Sequence, residues 1–222
     1  MTQQLNSQLQ MWQDKFETWW QAQPCDDASH DLGHFRRVYL MALRIAAQEN
    51  VSYDPMILLA AAYFHDLVNV PKNSPDRSRA STLSAEKTPE ILSEMGFPKE
   101  KFDAISHAIA AHSFSANIPA ETIEAKIIQD ADRMESVGAM GVARNMYVSG
   151  KMNSAMFHPD DPMGETNREK DDTKYALDHF DLKLLKIPAM MQTETGRKIA
   201  EERAEFLVMY RKRMVQEILG EI

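Results

Sequence analysis

Three short polar clusters interrupt apolar helical segments, and their side chains are of the types that bind divalent metal ions. The clusters are His30–Asp31 with His34, the pair His65–Asp66, and Asp130 with Asp132. Burying an unpaired carboxylate beside an imidazole is unfavourable, so a cation or a network of polar partners must compensate. Imidazole nitrogens combined with carboxylate oxygens suit Mn, Fe, Ni, Co or Zn better than Ca. From these residues alone, a metal site and a hydrogen-bonded polar network both remain open.

A metal site of this composition would be of the catalytic kind. One His, a His–Asp pair and one Asp would give four protein ligands and leave positions open for water and substrate. Adjacent residues of a helix point about 100° apart. His65 and Asp66 can still bind one ion if it lies beside the helix end.

The elements that must position these clusters are predicted to be helices. Apolar residues recur at spacings of three and four, and no run alternates in the way of a strand, so the chain is predicted to be all-α. The predicted helices cover about 5–22, 30–49 (capped by Asp27 or Ser29), 55–64 (capped by Asp54), 88–96, 97–112, 119–137, 173–187 and 189–219. Two polar loops, 69–81 and 149–172, are longer than simple connections require, and such loops are often lids or site walls.

Length and composition limit the class of protein. The chain has 222 residues, and its net charge of -8 argues against a protein that binds nucleic acid through a basic surface. The single cysteine, Cys25, excludes an intramolecular disulfide and fits a reducing compartment. The first residues lack the pattern of a signal peptide, and the longest apolar run, Met56–Phe64, is too short to cross a membrane. A cytoplasmic protein of one domain, without a membrane partner, is predicted.

The order and helical context of His34, His65–Asp66 and Asp132 match a known pattern, H…HD…D. In this the sequence resembles the HD-domain metal-dependent phosphohydrolases. A closer resemblance, over about residues 26–210, is to a subgroup of small bacterial HD hydrolases. It is carried by further motifs: Ser29–Asp31, His107 with Ala110–Ser115, Gln129–Arg133, and the stretch from Tyr175 through Asp178–Phe180 and Thr193–Gly196 to Arg203.

This resemblance implies an all-α HD-domain helical bundle with one divalent metal ion (Mn, Mg, Co, Ni, Fe or Zn). The ligands it implies are His34, His65, Asp66 and Asp132, and it selects Asp132 over Asp130. We predict that Asp66 is also a catalytic residue. The implied activity is hydrolysis of phosphoester or phosphoanhydride bonds in nucleotides or small phosphorylated metabolites by a metal-activated water. The organisation expected is an N-terminal helix, 1–25, packed on an HD core, 26–145, with C-terminal helices and a possible lid loop in 146–222, as a monomer or homodimer.

One departure from the family concerns the residue that activates the water. Several HD hydrolases place an acid three or four residues after the dyad, where this chain has Asn69 and Val70. The remaining candidates are Asp31 and His30, next to the ligand His34. An equally good interpretation is that Asp31 only places a favourable charge at a helix N-terminus.

Candidate substrate-binding residues are more dispersed. His107 and His112 are five residues apart, so they do not share a helix face, and one of them is predicted to face the site. The other candidates are Lys72 (for which a solvated basic loop is the better interpretation), Arg133, His179 and Lys183, the last two by the subgroup resemblance only. If His107 and His112 were both ligands, a dinuclear iron oxygenase would be the alternative. A non-catalytic nucleotide-sensing module is a further alternative, although none of the ligands is degenerate.

Overall fold

The computed structural model of the chain describes residues 3–24, 31–70 and 77–222. Throughout these ranges the regular structure is helical, and the nearest approach to a β-sheet is an isolated bridge between Ala155 and Tyr175. The predicted all-α class is therefore confirmed. The chain divides into two compact units, Met1–Asp132 and Arg133–Ile222. Whether the predicted boundaries at 25/26 and 145/146 have meaning stays a prediction.

The first unit is built around one fully buried helix. Its helices are α1 (Gln3–Gln21), α2 (Leu32–Glu49), α3 (Pro55–Phe64), α4 (Ala80–Glu94), α5 (Phe102–His112) and α6 (Ile123–Arg133, ending at the first residue of the second unit). Asp54 caps α3 as predicted, accepting a hydrogen bond from the Met56 backbone N–H at 2.9 Å. Every residue from Met56 to Phe64 is buried, because α3 packs against α1, α2, α4 and α5.

Aromatic side chains fix α1 onto this central helix. The ring of Phe16 meets that of Phe64 edge-on, with centroids 5.0 Å apart. The indole N–H of Trp20 donates to the Tyr63 carbonyl at 2.9 Å. Such edge-to-face pairs add to the stabilisation from burial. The end of α3, where His65 follows, is thereby held by both packing and a hydrogen bond.

The predicted start of α4 is wrong, because Pro89 does not mark the beginning of the helix. The helix begins at Ala80, not at Thr88, and Pro89 lies inside it. A proline in a helix interior leaves the carbonyl four residues earlier without its donor. Here that carbonyl belongs to Ala85, and the Ser106 hydroxyl of α5 donates to it at 3.2 Å. Gly96 follows the helix end with a φ of +78°, the conformation that favours glycine, as predicted.

The helix predicted over 119–137 is shorter than expected. It starts at Ile123 and ends at Arg133, and a 3-10 helix, Met134–Ser136, follows. The helix predicted from residue 97 likewise begins only at Phe102, after a 3-10 turn over Lys99–Lys101. Asp27 and Ser29, the predicted caps of α2, lie outside the described residues.

The second unit contains two long helices, α7 (Gly138–Lys151) and α9 (Glu194–Ile218), which pack against each other. Between them lie the short α8 (Asp178–Leu182) and a 3-10 helix, Leu184–Met190, where one helix over 173–187 was predicted. The backbone of Lys183, at φ −134° and ψ −58°, interrupts the helix there. None of the helices described by the structure is long and apolar enough to cross a membrane.

Ion pairs anchor the long loop between α7 and α8 within the second unit. Arg168 binds the buried carboxylate of Asp178 through two hydrogen bonds of 2.6 Å. Lys170 and Arg211 both bind Asp181. Paired, bidentate geometry of this kind fixes orientation as well as charge. The predicted loop is therefore tied to α8 and α9, and its function as a lid stays a prediction.

Candidate metal centre

The four predicted ligands come together in the first unit, each from the end of an element. His34 lies in the first turn of α2, His65 caps α3 and Asp66 follows it, and Asp132 lies in the last turn of α6. One ligand atom from each of the four lies within 4.8 Å of the others. Both imidazoles are fully buried, whereas the carboxylates of Asp66 and Asp132 are partly exposed.

The distances fit a single shared ion. The Nε2 atoms of His34 and His65 are 3.1 Å apart, and each is 3.6 Å from Oδ1 of Asp132. Oδ2 of Asp66 lies 3.8 Å from the His34 nitrogen and 3.6 Å from that of His65. Ligand atoms about 2.1 Å from a common metal lie about 3.0 Å apart at a right angle and about 3.4 Å apart at a tetrahedral angle. The residues present therefore fit a divalent ion.

A backbone hydrogen bond orients His65 toward this point. Its Nδ1 lies 2.9 Å from the Ala62 carbonyl, which can only accept, so Nδ1 carries the proton. The lone pair of the neutral ring is then on Nε2, which faces the cluster. Metal-binding histidines commonly have their second nitrogen fixed in this way.

The cluster attracts positive charge. Burial lowers the pKa of His65, but the charge of Asp66 and the hydrogen bond and charge of Asp132 outweigh it and raise that pKa to about 8. For Asp132 burial raises the pKa, and the contact with His65 outweighs it, so the pKa falls below its ordinary value. Two carboxylates beside two buried imidazoles thus favour a bound cation.

Asp31 caps α2. Its carboxylate accepts a hydrogen bond from the backbone N–H of His34 at 2.8 Å. This contact agrees with the interpretation of Asp31 as a residue that stabilises a helix N-terminus. It also holds the first turn of α2, which carries the ligand His34. A part for Asp31 in activating water stays a prediction. His30 lies outside the described residues.

Of the two histidines of α5, His112 lies at the cluster. It is buried, and its Nε2 is 3.5 Å from Oδ1 of Asp66. Its Nδ1 donates to the Ile109 carbonyl at 2.6 Å, so the lone pair is again on Nε2. His107 is used differently, because its Nε2 accepts from the backbone N–H of Glu121 at 3.1 Å.

Gln129 helps to hold His112 in place, a role that was not predicted from the sequence. Its amide nitrogen donates to the Ala111 carbonyl at 2.7 Å, directly before His112. Its Oε1 is buried and has no hydrogen-bond partner among the described residues. Gln129 precedes Asp132 by three residues, so both lie on one face of α6. A polar residue in an apolar helix was the signal in the sequence that could have identified it.

The other predicted substrate-binding residues described here belong to the second unit. His179 and Lys183 converge on one oxygen of Asp172, each at 2.7 Å. A guanidinium N–H of Arg133 donates to the Met190 carbonyl at 2.5 Å. Lys72 lies outside the described residues. Contact of any of these four with substrate stays a prediction.

Comparison with known proteins decides the family. The sequence profile of the HD domain matches residues 31–136, which include all four clustered ligands. The Bacillus subtilis protein YpgQ is 33% identical over 93% of this chain and 94% of its own length. The chain belongs to the HD-domain family. The predicted HD-domain bundle is thereby confirmed.

Solved structures of HD-domain relatives resemble this chain over almost its whole length. The crystal structure of B. subtilis YpgQ in complex with ADP matches with a TM-score of 0.71 at 33% identity, covering 94% of this chain and 98% of that one. An HD-superfamily hydrolase from Bacillus thuringiensis matches with a TM-score of 0.70 at 28% identity, covering 94% and 97%. The similarity thus includes both units of the chain.

Proposed function

We propose that this HD-domain protein is a metal-dependent phosphohydrolase that cleaves phosphoester or phosphoanhydride bonds of nucleotides or related small phosphorylated metabolites. The observation that carries the proposal is the convergence of two buried imidazoles and two partly exposed carboxylates within 4.8 Å. Four protein ligands leave coordination positions for water and substrate.

His34, His65, Asp66 and Asp132 would hold the ion. A divalent ion bound there would lower the pKa of a bound water molecule and polarise a phosphoryl oxygen. The chain's own contribution is positioning. Ala62 fixes the ring of His65, Asp31 fixes the turn that carries His34, and exposure on the carboxylate side gives substrate access.

His112 is the residue best placed to contact the phosphate. It lies beside Asp66, with its Nε2 3.5 Å from Oδ1 of that carboxylate, and its ring meets the His65 ring edge-on. In the neutral ring the nitrogen that faces the cluster has no proton to donate. Once protonated, the same nitrogen would donate to a phosphoryl oxygen. A nucleotide substrate is supported by the ADP complex of the relative YpgQ.

The two alternatives receive less support. A dinuclear centre would need His107 as well as His112, and His107 is bonded to the backbone of Glu121. A module that only senses nucleotides would be expected to lose ligands, whereas all four are retained here.

The test is a hydrolysis screen of the purified chain loaded in turn with Mn, Co, Mg or Ni. Substrates are nucleoside mono-, di- and triphosphates, pyrophosphate and p-nitrophenyl phosphate, with release of phosphate or pyrophosphate as the readout. We expect turnover on at least one of them, and its loss in Asp66→Ala. Absence of turnover on all of them, with metal bound, would show that the proposal is wrong.

A further inference from the structure

Phe114 is unusually exposed for its residue type. With 73% of its surface accessible, it is the most exposed large apolar side chain in the described part of the chain. Other phenylalanines, such as Phe16, Phe64 and Phe97, are at most 2% exposed. Single exposed apolar residues are common on proteins, so exposure alone indicates nothing. The position of Phe114 in the chain indicates what its exposed ring can contact.

That position is beside the candidate metal centre. α5 ends at His112, whose Nε2 is 3.5 Å from Asp66, and Ser113 continues in an extended conformation. Phe114 follows at the start of a 3-10 helix, Phe114–Ala116. Two peptide units span at most about 7 Å, so Phe114 stands next to the residue that faces the cluster. An exposed ring therefore lies within two residues of His112, the residue placed to contact a substrate phosphate.

The segment that carries the ring is held in place. Its 3-10 helix packs against α4 and against a second 3-10 helix, Arg77–Arg79. The hydroxyls of Ser113 and Ser115 are hydrogen-bonded at 3.0 Å, and Asn117 ends the turn at a φ of +52°. Asparagine tolerates this left-handed conformation better than most residues. The backbone that carries the ring is thus already fixed, so stacking of a flat ligand restricts only the rotation of the side chain itself.

We propose that Phe114 is the platform on which the base of a nucleotide substrate stacks, while the phosphates occupy the His/Asp centre. The inference rests on the proposed function and narrows its substrate class to nucleotides. The ribose of a nucleotide separates base from phosphates, which matches a platform beside the centre rather than in it. Stacking on an aromatic face tolerates any base, so this site prefers purines for their larger ring without excluding pyrimidines.

Binding of ADP to the Mn-loaded protein, measured by calorimetry, tests the platform without requiring turnover. Phe114→Ala and Phe114→Leu are expected to weaken ADP binding by about tenfold, since leucine keeps apolar bulk but has no π face. Phe114→Trp is expected to bind ADP at least as well as the wild type. Pyrophosphate, which has no base, is expected to bind all four proteins equally.

Leu40→Ala is the matched control. Leu40 is 65% exposed on α2, six residues beyond His34 and so about 240° around the helix from it. This variant is expected to bind ADP like the wild type. Equal ADP binding by Phe114→Ala and the wild type, or an equal loss for pyrophosphate, would overturn the platform. Failure of the wild type to bind ADP would also overturn it, while the phosphohydrolase proposal fails only if no substrate of the hydrolysis screen, pyrophosphate and p-nitrophenyl phosphate included, is turned over.

Discussion

Nε2 of His34 lies 3.1 Å from Nε2 of His65, in the buried part of the cluster. Because Nδ1 of His65 is bonded to the Ala62 carbonyl, its Nε2 presents a lone pair when the ring is neutral. Two ring nitrogens at this distance require a proton or a metal ion to which both can bind. Oδ1 of Asp132, at 3.6 Å from both, adds negative charge at the same point. The geometry therefore fits a metal ion to which both imidazoles and Asp132 bind.

Asp31 is expected to support the centre through the backbone of α2. Removing an N-cap in Asp31→Ala should lower the free energy of unfolding by about 1 kcal/mol. It should also weaken Mn binding, since the capped N–H belongs to the ligand His34. Chemical denaturation and Mn titration of the same preparations measure the two effects.

Asp54→Ala is the control for this prediction. Asp54 caps α3 at the end opposite to His65, and it also binds Lys101. The variant should lose at least as much stability as Asp31→Ala and retain its Mn affinity. Equal losses of Mn affinity in both variants would contradict a local effect of Asp31.

The variant Asp31→Ser separates capping from catalysis, because serine keeps an oxygen that can cap the helix. A loss of kcat in Asp31→Ser with normal Mn affinity would identify Asp31 as the water-activating acid.

Gln129 is expected to position His112. Gln129→Leu leaves the Ala111 carbonyl without its donor, which should cost about 1–2 kcal/mol of stability. If His112 contacts the substrate phosphate, its displacement should raise KM for the hydrolysed substrate while the Mn content stays unchanged. Ser106→Ala is the control, because it also removes a side-chain to backbone bond of α5, in this case the one to the Ala85 carbonyl of α4. A KM that rises equally in both variants, or in neither, would contradict the prediction.

Glu17 is expected to make stability depend on pH. The bond from Arg36 and that from Tyr63 outweigh burial and hold the pKa of Glu17 at about 2, below its ordinary value of 4.5. A carboxylate with a lowered pKa in the folded state stabilises it above the unfolded pKa and loses that effect as the pH falls. The wild type should therefore exceed Glu17→Gln in stability by about 1 kcal/mol at pH 7, since Arg36 is half-exposed and screened by solvent.

This advantage should shrink as the pH falls from about 4.5 toward 2. Urea unfolding midpoints of both proteins between pH 7 and pH 3 measure it. A difference that stays constant over that range would show that Glu17 is not held ionised by its partners.

Helices whose bounds depend only on neighbouring residues of the chain could be predicted from the sequence. Asp54 and Pro55 predicted the start of α3, and its apolar composition predicted its burial. The start of α4 was mispredicted, because what allows Pro89 inside the helix is a hydroxyl on another helix, that of Ser106. A pattern along one segment carries no information about such a partner.

The same limit applies to the candidate site. His107 and His112 could not be distinguished by spacing, since only the packing of α5 determines which ring faces Asp66. The bounds of the helix predicted over 173–187 were wrong as well, because the backbone of Lys183 interrupts it. Asp178 is bound by Arg168, ten residues earlier in the chain, and the helix that starts there is only five residues long.

The metal content of the purified protein tests the central claim most directly. After loading with Mn and removal of free ion, elemental analysis should find one Mn per chain in the wild type. Asp66→Ala, which removes one of the four clustered ligands, should retain almost none while remaining folded by circular dichroism. A wild type that binds no divalent ion, or an Asp66→Ala variant that keeps a full equivalent, would contradict the account.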